Sequence, residues 1–502
     1  MAPTGATPTA AATAVQSVGN YASAVAGNYV FLALSFATTV FLARSLGADG
    51  FGHLTLVFTI AQTALHATAI WTESAFLRYG AEELETEGRL AEVLWGRILL
   101  MTPSIVLAAG VGWLLERWIE AFHGADVGYG LLVAYFVTLE LGQLLRGIYQ
   151  ARSRAGAFAF FQAAERAATL GALLTLQLTF GLTLARILFV YVAAALAAFL
   201  AASRLLPRHD FLPVETSRRT VRRLFVFSAP MILSVFGTYL TSNWLDVAVI
   251  RHYLDSAAVA HYALAYQLMG AVQQIPFVSF SVVVPVLVGA HVAHRPDAIR
   301  LYLDRVVPHA VCAMSAVLIV AVLGVPPLVR LIFGEAFVES ARAVPVLLFA
   351  VGWYCILIAY VPILILHERT WSILMATLAA AVVNLLGDLL LVRIAGVVGV
   401  AWATVLSQIT YAIIFIRVAR LDYRFSPGVV LAMLGPLAIA LAGAQAKSPL
   451  VVVATGVVAL IVLVVIARTQ HLGSPDDRKL LASLNVPGLR RLLPTASAPE
   501  IS

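Results

Sequence analysis

"FLARSLGADGFGHLTL", residues 41–56, ends one apolar run on Arg44, crosses a cluster of turn formers, and starts a second apolar run. Gly47, Asp49, Gly50 and Gly52 are residues that tolerate tight turns. Two long apolar stretches joined by so short a break read as a helical hairpin in a membrane. A spanning helix needs about 20 apolar residues, and backbone polar groups in lipid must be paired within the segment. The same reading extends outward along the chain. About fourteen apolar runs follow one another, near 23–45, 53–76, 94–115, 128–149, 157–179, 181–204, 222–244, 257–287, 305–329, 341–366, 370–392, 396–417, 427–444 and 449–467.

Composition supports this. Of 502 residues, 61% are hydrophobic and 12% charged, half the share of about 25% usual in soluble proteins. Mean hydropathy is +0.92. The fold class expected is an all-α polytopic membrane protein. Cys312 and Cys355 both lie in apolar runs and give neither a disulfide framework nor a metal spacing. The first residues are small and uncharged, unlike a secretory signal, and residues 1–20 are expected to form a disordered cytoplasmic tail.

An even number of spans puts both termini on one side, and Lys/Arg placement selects the cytoplasm. With the termini inside, inner segments hold about 24 of the 33 basic residues and outer loops about 8. The densest inner segment, "SRLLPRHDFLPVETSRRTVRR" (203–223), divides the chain. The organisation expected is an N-lobe of six helices (21–205), a basic cytoplasmic linker (206–221), a C-lobe of six (222–421), two extra helices (422–467) and a cytoplasmic tail (468–502). In that tail Ser474 and Pro475 open a short amphipathic surface helix. "AVIRHYLDSAAVAHYAL" (248–264) echoes the opening stretch: Arg251 closes helix 7 as Arg44 closes helix 1. Two such lobes are expected to flank a central polar cavity, as repeats often do in transporters.

Polar residues inside spans are costly and face a partner or a cavity. Asn28, Ser35 and Thr39 share one face of helix 1, and Gln62, His66 and Glu73 one of helix 2. Ser234, Thr238 and Ser242 do so in helix 7, and Gln267, Gln274 and Ser281 in helix 8. Such stripes serve either as interhelical glue or as cavity lining. Glu140 and Arg166 lie equally far from the helix 4–5 turn and are candidates to pair, with Gln143, Gln162 and Glu165 nearby. Asn384 and Asp388, four apart in helix 11, are candidates for ion coupling together with Glu140 and Glu165. Asp246 is expected beside Arg251.

Several stretches resemble one family. "FLARSLGADGFGHLTL" resembles the first hairpin of polysaccharide-export flippases. "NWLDVAVIRHYLDSAAVAHYALAYQL" (243–268) is similar to their helix 7–8 junction. "PLVRLIFGEAFVESARAVPVLLFAVGW" (327–353) resembles their helix 9–10 turn, and "NLLGDLLLVRIAGVVGVAWATVLSQ" (384–408) their helix 11–12 hairpin. Asp388 departs from the asparagine more usual there, and Arg393 stands where proline is common. These flippases belong to the multidrug/oligosaccharidyl-lipid/polysaccharide superfamily. The resemblance covers roughly residues 20 to 465. It implies a carrier that flips an isoprenoid (pyro)phosphate-linked oligosaccharide by alternating access, in the cytoplasmic membrane of a bacterium, for O-antigen, capsule or exopolysaccharide synthesis. A polymerase or glycosyltransferases are the partners it implies; no cofactor, metal or nucleic acid is expected. Arginine grips phosphate with two-pronged hydrogen bonds, so Arg44, Arg251, Arg78, Arg146 and Arg166 are candidate substrate contacts, with Asn28, Gln62, His66, Gln267 and Gln274 for the sugar. At the interface, Arg44, Arg78 and Arg251 can instead simply extend to water.

Two rivals remain. A drug or cation antiporter of the same superfamily shares the fold. A membrane polymerase or ligase needs catalytic groups in a large outer loop. The longest outer loop here, "ERWIEAFHGADV" (116–127), carries only Glu116, Glu120, His123 and Asp126, and no nucleophile, phosphate-loop or metal motif is present, so no catalytic residue is expected.

Overall fold

The structure, a computed structural model, describes residues 10–115, 128–152, 154–240, 243–281, 287, 291, 296–367, 369–423, 428–432, 434–446 and 448–470. Every regular element among them is helical. The described parts of the apolar runs lie largely in helices. Among the described residues eight stretches are long and apolar enough to cross a membrane, and two of these, Ala26–Glu87 and Trp371–Leu421, each take in most or all of two of the runs. Large apolar side chains stand outside: Leu178 is 87% exposed and Leu450 79%. Surfaces of that kind are stable against lipid, not water.

The chain divides into two compact units, residues 1–260 and 261–502. The first holds α1 (Ala10–Leu65), α2 (Trp71–Glu87), α3 (Ala91–Leu115), α4 (Tyr129–Ala151), α5 (Ala155–Thr179), α6 (Leu184–Ser203), α7 (Arg218–Leu240) and α8 (Asn243–Tyr253). Helix α9 (Ser256–Ser281) runs across the division. The second unit holds α10 (Pro296–Leu301), α11 (Val307–Phe333), α12 (Val338–Leu366), α13 (Thr370–Asp422), α14 (Gly428–Ala432), α15 (Leu434–Ala444) and α16 (Pro449–Thr469).

Two expectations about organisation shift. Helix α1 starts at Ala10, inside the stretch read as an unstructured tail, because "AAATAV" is built largely of the best helix former. The division falls at residue 260 rather than at the basic linker, because α7 packs on α2. Trp71 meets Phe225 edge-to-face at 6.5 Å and Tyr79 meets Phe227 at 5.8 Å. Arg223 bonds both carboxylate oxygens of Glu82, at 3.1 and 3.2 Å. The linker itself is pinned to the turn between α4 and α5. Fully buried Asp210 accepts from Arg152 Nε at 2.5 Å and from its Nη2. Trp95 Nε1 donates to the Phe211 carbonyl at 2.9 Å. The expected tail helix after Ser474 and the 116–127 loop lie outside the described residues.

The opening stretch turns at Gly47, whose φ of 69° and ψ of −178° interrupt α1. That conformation is essentially reserved for glycine. Phe31 and Gln62, sixteen before and fifteen after it, meet at one cavity, as a hairpin requires. In the second unit Gly396 (φ 56°) breaks α13 in the same way. Ser407 Oγ on one arm donates to the Ala380 carbonyl on the other at 3.0 Å, and the Thr377 and Tyr411 hydroxyls pair at 2.5 Å.

Candidate functional site

A cavity of about 220 Å³ opens inside the first unit, between α1, α4, α5 and α6. Its polar lining comes from Gln62, Gln143, Arg146, Gln162, Glu165 and Arg166. The sequence builds this face by helical spacing: Leu139, Gly142, Gln143 and Arg146 fall at i, i+3, i+4 and i+7 of α4. On α5, Gln162, Glu165 and Arg166 do the same. Phe31, Tyr135, Phe158, Phe161, Tyr191 and Phe199 add aromatic rings to the wall, and Phe58 packs behind two of them. Phe58, Tyr135 and Tyr191 cluster with ring centroids 5.0–6.1 Å apart. The Arg166 guanidinium lies 5.2 Å from the Phe31 ring and 5.4 Å from Tyr191. Its Nε is buried and makes no hydrogen bond, and the same holds for Gln143 Oε1. The cavity therefore presents cationic donors, amides and ring faces together, the groups that bind phosphate and sugar hydroxyls.

Of the fourteen site residues expected from sequence, Gln62, Arg146, Glu165 and Arg166 meet in this cavity. Glu140 does not pair with Arg166. Equal distance from a turn fixes depth, but Glu140 is one residue, about 100°, away from the cavity face of α4. It is 4% exposed and accepts a short hydrogen bond from Thr68 on the opposite side. His66 uses Nδ1 on the Gln62 carbonyl, 2.8 Å away, and opens a five-residue π-turn, His66–Ile70, between α1 and α2. Asn28 is exposed on α1, and Gln267 and Gln274 are exposed on α9. Arg78 is exposed, 5.1 Å from the Phe227 ring centroid. Asn384 Nδ2 donates to Asp388 Oδ2 at 3.0 Å, and both residues are fully buried in α13. Ser234, Thr238, Ser242 and Ser281 have no described side chains.

Arg44 is exposed and Arg251 half-buried, each at a turn of the echoed stretches, and those turns pack together. A Cβ on Gly52 would come 1.8 Å from the Ser256 carbonyl oxygen. His53 Nε2 lies 3.3 Å from Ser256 Oγ and 3.8 Å from an Asp49 carboxylate oxygen. A serine nucleophile would need its acid on the other ring nitrogen, so this trio is a packing contact. Asp246 is buried at 2% in the same region.

One residue of this unit carried no flag in the sequence. Arg97 sits near the start of the third apolar run and is 1% exposed. Its Nε donates to Thr72 Oγ1 at 3.0 Å, and its guanidinium lies over Phe76, 5.0 Å from the centroid. Gly147 makes the room: a Cβ there would stand 2.8 Å from Arg97 Nη1.

The profile of the polysaccharide biosynthesis protein family matches residues 17–291, more than half of the chain. The chain belongs to this family. Within curated proteins, a probable low-salt glycan biosynthesis flippase, Agl15 of Haloferax volcanii, is 25% identical over 382 residues, 74% of this chain and 77% of that one. Two solved structures share the fold. The lipid II flippase MurJ in an inward closed conformation has a TM-score of 0.67 at 13% identity, covering 90% of this chain and 98% of its own. An inward-facing multidrug resistance MATE family transporter of the MOP superfamily has a TM-score of 0.62 at 15% identity, covering 80% and 95%. This polysaccharide biosynthesis family member is thus an all-α membrane protein with the MurJ/MATE architecture.

Proposed function

We propose that the chain flips a lipid-linked oligosaccharide across the cytoplasmic membrane of a bacterium by alternating access, and supplies it to a polysaccharide polymerase or glycosyltransferases. Family membership and the glycan flippase similarity support this reading. The observation that carries it is the cavity holding Arg146 and Arg166 with three glutamines and a wall of aromatic rings. Each unpartnered sugar hydroxyl costs several kcal/mol to place in hydrocarbon, and a charged phosphate far more. A cationic, amide-lined cavity offers those groups partners while the isoprenoid tail stays in lipid. Arg146 and Arg166 hold the phosphate, and Gln62, Gln143 and Gln162 the hydroxyls. Both termini are cytoplasmic, which puts the basic 206–221 segment inside. The chain moves its substrate without making or breaking bonds in it. A drug or cation antiporter calls for carboxylates unopposed by cations, whereas Glu165 shares its cavity with two guanidinium groups.

The test is deletion of the gene in its native host. The expected result is accumulation of a lipid-linked saccharide on the cytoplasmic leaflet, reversed by the wild-type gene and not by an Arg146→Met/Arg166→Met double variant. Absence of accumulation, with surface glycan unchanged, would overturn the proposal.

A further inference from the structure

Arg97 is anomalous by itself. Its Nη1 and Nη2 are buried and make no hydrogen bond, and a charge left unpaired in a protein interior is strongly destabilising. Two carboxylates, Glu73 and Glu140, are close enough to act on it electrostatically. They differ in freedom. Glu140 is 4% exposed and tied to Thr68. Glu73 has a 21% exposed side chain, and its partner is Arg146, whose Nε lies 3.9 Å from Glu73 Oε1, beyond hydrogen-bond range. Arg146 lines the cavity; Arg97 is sealed away from solvent. Glu73 therefore stands between a guanidinium that an anion can reach and one that it cannot.

From this arrangement we infer that Arg97 is the second seat of Glu73, a positioning residue that takes over the carboxylate when an anionic head group occupies Arg146. The inference rests on the cavity reading above. A phosphate on Arg146 displaces the weakly held carboxylate, and the two idle nitrogens of Arg97 receive it. The motion is reported to the membrane span directly. Glu73 lies in the first turn of α2, next to Thr72, which bonds both Arg97 and the Ala69 carbonyl (2.7 Å) at the end of the π-turn. A π-turn carries one extra residue in the helical ladder, a feature often found at functional sites. A pull on residues 72–73 acts on that turn, so occupancy of the cavity is translated into a change in the helix that lines it.

The experiment uses the full-length protein in lipid nanodiscs with farnesyl pyrophosphate as probe. Binding is measured directly, and hydrogen exchange is followed over residues 64–73. In wild type and Arg97→Lys, which keeps a cation at the seat, saturating probe should change exchange in this segment by about 5-fold or more. In Arg97→Met the probe should still bind, within about 3-fold of wild type, while the exchange response disappears. Glu73→Gln should also lose the response, and it decides the matter if Arg97→Met does not fold. A full response in Arg97→Met or Glu73→Gln with binding intact would overturn the inference and leave the cavity reading standing. No probe binding by wild type would overturn both.

Discussion

Asp210→Ala should release the basic linker from the first unit, and its magnitude follows from the geometry. Asp210 is completely buried and its partner Arg152 is 15% exposed. The pair is two-pronged, through Nε and Nη2, and His209 Nε2 lies 3.3 Å from Arg152 Nη2. Removing one member of a buried pair leaves the other uncompensated, at about 3–5 kcal/mol. Arg152 is not wholly sealed, which places the expected loss at the lower end, about 3 kcal/mol. Replacing both members with apolar groups removes the desolvation penalty as well as the attraction. An Arg152→Met/Asp210→Leu variant should therefore lie within about 1 kcal/mol of wild type. The assay is equilibrium unfolding in mixed detergent micelles, arranged as a double-mutant cycle. If Asp210→Ala costs under 1 kcal/mol, or the double change costs as much as the two single ones summed, the pair is not the anchor described here.

Other outcomes test other links. Gly52→Ala places a methyl against the Ser256 carbonyl oxygen, a contact that backbone must relieve; it should separate the two turns, and a cysteine pair across them should cross-link less readily than in Gly52 protein. Gly47→Ala forces a side chain into a backbone conformation kept for glycine, costing about 1–3 kcal/mol, measurable in the same unfolding assay. Gly147→Val should crowd Arg97 and Phe76 and destabilise by about 1–3 kcal/mol, whereas Gly142→Val, with open space around its Cβ, should be tolerated in the fold. Arg166→Met should weaken binding of an isoprenoid pyrophosphate by about 1.5–3 kcal/mol, the range for a hydrogen bond to a charged group, with little change in folding.

The helices were legible because each rests on local information: a run of about 20 apolar residues can pair its backbone only with itself. The turn around Gly47 was legible for the same reason, since glycine marks places where the chain leaves the helical region. Gln62, Arg146, Glu165 and Arg166 came together as polar residues on the inward faces of their helices. What sequence missed depends on azimuth and on neighbours far along the chain. Glu140 has the depth of Arg166 but faces Thr68, a difference of one residue on α4. Arg97 resembles an ordinary helix-end arginine, and Gly147, fifty residues later, with Phe76 and Thr72, shows that its guanidinium is enclosed. The glycine was the available signal: a small residue in an apolar helix marks a close approach, though not what approaches. The spacing of Asn384 and Asp388 puts them on one face, but it does not show that one bonds the other within the core.

The most direct test of the account is transfer itself. Purified protein is placed in liposomes carrying a fluorescent disaccharide on an isoprenoid pyrophosphate, and the fraction that becomes accessible to an external quencher is followed in time. The account predicts transfer well above that of protein-free vesicles by wild type, and transfer at the protein-free rate by the Arg146→Met/Arg166→Met variant. Equal rates in wild-type and empty vesicles, or an undiminished rate in the double variant, would contradict it.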